Sequence, residues 1–251
     1  MPRFAAIIPA RYASTRFPGK PLAMIGGVTM IERVYRRVSA QFDRVWVATD
    51  DERIEQVMSG FGGRVVMTST EHRSGTDRIG EALETIERTT GERFDVVVNV
   101  QGDEPFVAEE HLVAIRALFD DPAVQIATLV KAFAPGEDIF NPNTPKVVLG
   151  RDGRALMFSR SAIPYLRGVE PKDWQSNNTY FKHIGLYAYR TEVLREVVKL
   201  PVGQLEKAES LEQLRWLENG YTIHAAQVTS ETVAIDTPED LEKVLKNLAG
   251  K

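Results

Sequence analysis

The feature that most constrains the fold is an alternation of short β-branched runs with longer stretches of helical period. FAAII reads as a strand, and TMIERVYRRVSA as a helix with Met30, Ile31, Val34, Tyr35 and Val38 on one face. RVWVATD and GRVVMT read as strands on either side of the helix DERIEQVMSG, which Gly60 stops. Next comes the helix TDRIGEALETIERT, which Ser74 or Thr76 could cap. FDVVVNV is apolar without alternation, the pattern of a strand buried on both faces, and the helix EEHLVAIRALF follows it. This order predicts an α/β fold with a doubly wound, mostly parallel sheet and right-handed crossovers.

Past Asp121 the rhythm loosens. QIATLVKAF, KVVLG, ALMFS and KHIGLYAYR read as strands, several without an intervening helix. They predict a mixed or antiparallel extension that adds a second wall to a pocket. The chain then regains order with the helix LEQLRWLEN, the strand YTIHAAQV and the closing segment VAIDTPEDLEKVLKNL. No repeat, low-complexity tract or linker marks a domain boundary.

Composition removes several classes of function. The formal charge is −4, so a general nucleic-acid or membrane-surface binder is disfavoured and any cationic site must be local. There is no cysteine, which excludes disulfides, thiolate metal sites and thiol nucleophiles. The first apolar run is too short for a signal-peptide core, and no segment reaches the apolar length of a membrane-spanning helix. These readings predict a soluble, cytoplasmic protein. Its 251 residues, 43% of them hydrophobic, suffice for a sizeable core.

In an open α/β sheet, ligands bind beyond the carboxyl ends of the strands, so the polar residues there carry the functional reading. The first such station is IIPARYASTRFPGKP, residues 7–21, where a strand opens into a loop bearing Arg11, Arg16 and Lys20. Arginine forks and a lysine point charge suit a chain of phosphates. The alternative is a solvated basic loop, and the Walker pattern G-x-x-x-x-G-K-[ST] is absent. The second is NVQGDEPF, where Asp103 and Glu104 emerge from the buried strand and Gly102 permits a tight turn. Such carboxylates suit Mg²⁺ held together with substrate phosphates, or merely cap a turn. The third is VAIDTPEDLEKV: Thr237, Pro238 and Asp240 are explained as a helix start, which leaves Asp236 without a structural role. Two aspartates from distant strands meeting near a cationic loop is what metal-assisted nucleotidyl transfer requires. The fourth is HRSGTDR, whose Ser74, Gly75 and Thr76 offer groups suited to a base edge or phosphate, or to an ordinary capped helix. Later, Arg160 could fork onto a substrate carboxylate. Glu212 and Gln213 are equally readable as the solvated flank of a leucine stripe, and a lone His183 as a satisfied polar residue.

Taken together, IIPARYASTRFPGKPL, RSGTDR, VNVQGDEPF, KVVL, ALMFSRSAIPY, KHIGLYAYR, LEQLR and DTPEDLEKV resemble, in order and over nearly the whole chain, the 3-deoxy-manno-octulosonate cytidylyltransferases, the CMP-Kdo synthetases. The resemblance implies a Rossmann-like nucleotidyltransferase of the nucleotide-diphospho-sugar transferase type. It implies a single domain, 1–251, with residues 1–121 mainly binding nucleotide and 122–251 mainly serving the sugar acid and dimerisation. CTP and Kdo would be the substrates, giving CMP-Kdo and pyrophosphate for lipopolysaccharide synthesis, with Mg²⁺ as cofactor and a homodimer as the assembly. By matching motif, Ala10, Arg11, Arg16 and Lys20 would hold the triphosphate, with Ser74 and Gly75 near the cytosine. Asp103 and Asp236 would bind Mg²⁺. Gln101, Arg160, His183, Tyr187, Glu212 and Gln213 would line the sugar-acid pocket. Asp103, Lys20 and Arg11 would carry catalysis. The chain departs from the family pattern at Phe17, usually Leu, at Arg73, usually neutral, and at Ala234, usually Gly. Rival readings are the same chemistry on sialic acid or an amino analogue of Kdo, a metal-dependent glycosyltransferase, and a non-enzymatic nucleotide-binding module.

Overall fold

The computed structural model describes residues 2–72, 74–231 and 234–249. The chain forms two compact units, Met1–Val113 with Thr232–Lys251, and Ala114–Glu231.

The first unit takes in most of the expected nucleotide half, 1–121, but ends at Val113 and adds Thr232–Lys251, which the sequence reading places in the other half. Its strands are β1 (Phe4–Ala10), the short pair β2 (Met24–Ile25) and β3 (Val28–Thr29), then β4 (Val45–Thr49), β5 (Val65–Met67) and β6 (Val96–Asn99). Its helices α1 (Met30–Ser39), α2 (Glu52–Gly60) and α3 (Gly75–Thr90) alternate with them, and the boundary at Val113 falls within α4 (Glu109–Ala117). The large strands run in the order β6-β1-β4-β5, all parallel. In register, Ala10 lies beside Thr49 and Ile7 beside Asn99, which gathers the carboxyl ends at one edge. Ile7, Ile8, Val47, Val96, Val97 and Val98 are fully buried, as uninterrupted apolar strands require. Thr29 caps α1, Ser74 caps α3, and α2 ends at Gly60. The hairpin β2-β3, turning at Gly26 and Gly27, escapes the sequence reading because each strand holds only two residues.

The closing helix, Pro238–Ala249, starts with a reciprocal cap: the Asp240 amide donates to Thr237 Oγ1, and the Thr237 amide to Asp240 Oδ2. Ile25, Met30, Ile235 and Val244 form a buried cluster with Phe17, Phe106 and Leu241 against it. The aromatic ring at position 17 is thus a packing group beside the segment that carries Asp236.

The second unit is mixed, as the loosened rhythm predicts. Its strands are β7 (Ile126–Ala132), β8 (Lys146–Leu149), β9 (Ala155–Ser159), β10 (Phe181–Arg190) and β11 (Ile223–Gln227). β10 is antiparallel to β7 and β8, β8 is antiparallel to β9, and β11 is parallel to β7. The short helices α5 (Trp174–Asn177), α6 (Thr191–Val197) and α7 (Gln204–Glu209) come in addition to the expected α8 (Gln213–Glu218). The register of β10 on β7 breaks between Ile184 and Tyr187, a bulge that sequence alone does not show.

Candidate active site

The carboxyl edge of the first unit opens into a cleft of about 340 Å³. Ala10, Arg11, Arg16 and Lys20 line it from the first loop, Ser74 and Gly75 from the start of α3, and Gln101 and Asp103 from the loop after β6. Asp236 lines it from the irregular segment before the closing helix, not from the strand end that the sequence predicts. Every nucleotide- and metal-assigned residue of the sequence reading is among its lining, together with Gln101.

Two backbone features bring the carboxylates together. The Ile235 amide donates to the Asp103 carbonyl at 3.0 Å, holding the segment before the closing helix beside the loop that follows β6. Gly102 lets the second loop press against the first strand, since a Cβ there would lie 2.8 Å from the Pro9 carbonyl oxygen. Lys20 then reaches both side chains. Its Nζ donates to Asp103 Oδ2 at 2.6 Å and to Asp236 Oδ1 at 3.1 Å, and Arg16 lies 3.3 Å from the same Asp236 oxygen. Two acidic groups thus converge on one cationic point, with further cations beside them.

Tyr12 and Gly19 close the cationic loop. The Gly19 amide donates to the Tyr12 carbonyl at 2.9 Å, and Gly19 adopts a left-handed φ of 72° against the tyrosine ring. Arg53 stacks over that ring, 3.3 Å from its centre, while a bidentate pair with Asp51 holds the guanidinium. This loop is ordered by side chains, which accounts for its single glycine.

The sequence reading missed His72 and Arg78 among the cleft residues. Arg78 is almost wholly buried and donates to Asp50 at 2.8 Å and to Thr68 at 2.6 Å. It stands one helical turn beyond Ser74, and that spacing was the available signal. His72 pairs through Nε2 with Glu81. Burial alone would raise the Glu81 carboxyl, but the Ser69 amide and the His72 ring outweigh it and hold it below its ordinary range. Arg73 lies outside the described residues. Ala234 is exposed, and Ile235 directly after it is fully buried.

The remaining predicted residues lie in the second unit. His183 and Tyr187 flank the β10 bulge with ring centres 5.3 Å apart, and Tyr187 packs edge-on against Trp216. Burial pushes the His183 imidazole down to about 4, so the ring is neutral at pH 7. The Tyr187 phenol is pushed well up, first by burial and then by Tyr189 and Glu212. Gln213 is buried, and its Nε2, the Tyr187 hydroxyl and the Trp216 indole nitrogen make no hydrogen bond of normal geometry among the described residues. Glu212 directly precedes α8 and is 3.8 Å from Arg215. Arg160 spends its guanidinium on backbone: Nε donates to the Glu209 carbonyl, Nη1 to Pro142 and Nη2 to Ser210. Those bonds brace the segment leading into Glu212 and Gln213, where Ser210 holds a left-handed φ of 50°.

Comparison with known proteins agrees with this geometry. A family model described as cytidylyltransferase matches residues 5–225. A 3-deoxy-manno-octulosonate cytidylyltransferase of Bacteroides thetaiotaomicron is 58% identical over 251 residues, covering 98% of this chain and 99% of the relative. The chain belongs to the 3-deoxy-manno-octulosonate cytidylyltransferase family. A family member from Parabacteroides distasonis is 56% identical over 255 residues, spanning the whole of both chains. A solved CMP:2-keto-3-deoxy-manno-octonic acid synthetase complexed with CTP superposes with a TM-score of 0.88 at 42% identity, over 99% of each chain. Among the described residues, no helix is long and apolar enough to cross a membrane.

Proposed function

We propose that this chain transfers CMP from CTP to the anomeric hydroxyl of 3-deoxy-D-manno-octulosonate, releasing pyrophosphate, in the cytoplasm and in the service of lipopolysaccharide synthesis. The observation that carries the reading is the cleft in which Lys20 bridges Asp103 and Asp236 beside Arg11 and Arg16, in a chain 58% identical to a cytidylyltransferase of that name. We further infer a homodimer, on the resemblance alone.

Arg11, Arg16 and Lys20 bind the triphosphate as a row of cations, and the braced loop presents them with little ordering left to lose. Asp103 and Asp236 fit a Mg²⁺ ion: both are hard oxygen donors, and both reach one ammonium-sized point within 3.1 Å. Asp103 and Asp236 would hold the ion together with the substrate's phosphates, the manner in which Mg²⁺ is usually bound. When bound, Mg²⁺ supplies charge neutralisation at the phosphate oxygens. With a metal held there, the Lys20 ammonium would serve the phosphates in place of the two carboxylates it bonds here. The sugar's anomeric oxygen loses its proton to solvent and forms the new bond to the α-phosphorus, the bond to pyrophosphate breaks, and Arg11, Arg16 and Lys20 stabilise the charge that develops. Ser74 and Gly75, at the start of α3, face the base. His183, Tyr187 and Gln213 supply hydrogen-bonding groups for the sugar acid, and the unsatisfied Gln213 and Tyr187 atoms mark places for its hydroxyls.

The test is pyrophosphate release by the pure protein with CTP, Mg²⁺ and Kdo, against UTP and sialic acid as controls. Release that requires CTP and Kdo together is expected. Release with sialic acid in place of Kdo would keep the chemistry and overturn the sugar. Silence with every acid would overturn the function.

A further inference from the structure

Thr128 lies at the centre of β7 and is fully buried, a hydroxyl in the otherwise apolar run IATLV. It stands opposite the β10 bulge, and three polar atoms crowd it. The Leu186 carbonyl is 2.9 Å away, the Ile184 carbonyl 3.2 Å, and His183 Nε2 3.0 Å. The Tyr187 phenol also feels the hydroxyl, without a hydrogen bond of normal geometry.

A threonine hydroxyl has one proton to give and two lone pairs to receive. Carbonyl oxygens only accept. If the proton went to His183, two carbonyl oxygens would face a bare oxygen at 2.9 and 3.2 Å, in a place that water does not reach. That arrangement is repulsive, and unmade hydrogen bonds in the interior cost most. The proton therefore goes to the bulge carbonyls, and Thr128 can only accept from the imidazole. Nε2 then carries the ring's hydrogen, and Nδ1 is left as an acceptor.

We propose that Thr128 is a positioning residue for the sugar acid: it fixes His183 as the Nε2–H tautomer, so that Nδ1 accepts a hydrogen bond from a substrate hydroxyl. The inference rests on the reading of His183 as a sugar-binding residue. It also gives the β10 bulge a purpose, because the bulge carbonyls are what claim the threonine proton. Phe158, edge-on to the imidazole with centres 5.2 Å apart, and Tyr187 on another side restrict the ring's swing.

Nitrogen NMR on full-length protein labelled at its histidines reads the tautomer directly. The chain has four histidines, and the signals absent from His183→Gln assign the ring. At pH 7 the wild type should show a protonated Nε2 and a bare Nδ1. Thr128→Val should abolish that preference and raise KM for Kdo about tenfold, the loss of one hydrogen bond, with KM for CTP within twofold. Thr128→Ser, which keeps the hydroxyl, should restore both readouts. A wild-type ring protonated at Nδ1 overturns the proposal even if Thr128→Val does not fold. So does a folded Thr128→Val with unchanged tautomer and KM, or a Thr128→Ser that behaves like valine. Failure of Kdo as a substrate would instead strike the functional reading and leave the tautomer result standing.

Discussion

Replacing Lys20 by methionine separates the two tasks that the structure gives this side chain. Its Nζ makes hydrogen bonds of 2.6 and 3.1 Å to Asp103 and Asp236, the carboxylates that are 30% and 39% exposed. A charge-assisted bond of this kind is worth ~1.5–3 kcal/mol when buried, but solvent at these exposures brings each nearer ~1 kcal/mol. Lys20→Met should therefore cost about 1–2 kcal/mol of stability, or roughly 2–8 °C in Tm for a chain of this size. Turnover should fall much further. A preorganised cation aimed at developing phosphate charge contributes on the order of 10²–10³ in kcat. The assays are thermal unfolding and steady-state pyrophosphate release on the same preparation. A kcat within tenfold of wild type would refute the catalytic assignment. A Tm loss far beyond the expected range would show Lys20 to be chiefly a structural strut.

Three further outcomes follow from other residues. Gly19→Ala places a methyl at φ 72°, 3.1 Å from the Tyr12 ring, and should cost about 1–2 kcal/mol while raising KM for CTP more than KM for Kdo, read by urea unfolding and kinetics. Arg160→Ala frees the carbonyls of Glu209 and Ser210, so KM for the sugar acid should rise several-fold with KM for CTP held; a large change in CTP affinity alone would contradict this. His183 has its folded pKa lowered to about 4 from an ordinary 6.5, so the unfolded chain binds the extra proton first. Its contribution is therefore full above about pH 6.5 and is lost as pH falls toward 4, about 2 kcal/mol of it between pH 7 and 5. Urea titrations should show that loss shrinking in His183→Gln.

What could be read beforehand follows a physical line. The strands β1, β4 and β6 were legible because burial on both faces leaves an unbroken apolar run, and α1 and α3 because their buried faces repeat at helical period. The meeting of Asp103 with Asp236 was legible only in part: Asp103 follows β6, as parallel strand ends predict, whereas Asp236 follows no described strand and is brought there by the backbone bond between Ile235 and Asp103. The hairpin at Gly26–Gly27 and the helices α5, α6 and α7 were not, because two to seven residues hold too little periodicity to register. Thr128 was invisible for another reason: its role is set by a bulge in β10, more than fifty residues away, and a threonine inside IATLV reads as one more strand former. Arg160 shows the limit of motif reading. Its position follows from the sequence, but only the three carbonyls around it reveal the bracing it performs.

The most direct test of the account is the rate of pyrophosphate release with saturating CTP and Kdo as Mg²⁺ is titrated into chelator-treated protein, for wild type beside Asp103→Asn and Asp236→Asn. The account predicts no turnover in chelator, a saturable return with Mg²⁺, and a loss of roughly 10² or more in kcat for both variants. Full turnover in chelator, or near-wild-type turnover in either variant, would contradict the claim that these two carboxylates hold the reacting metal.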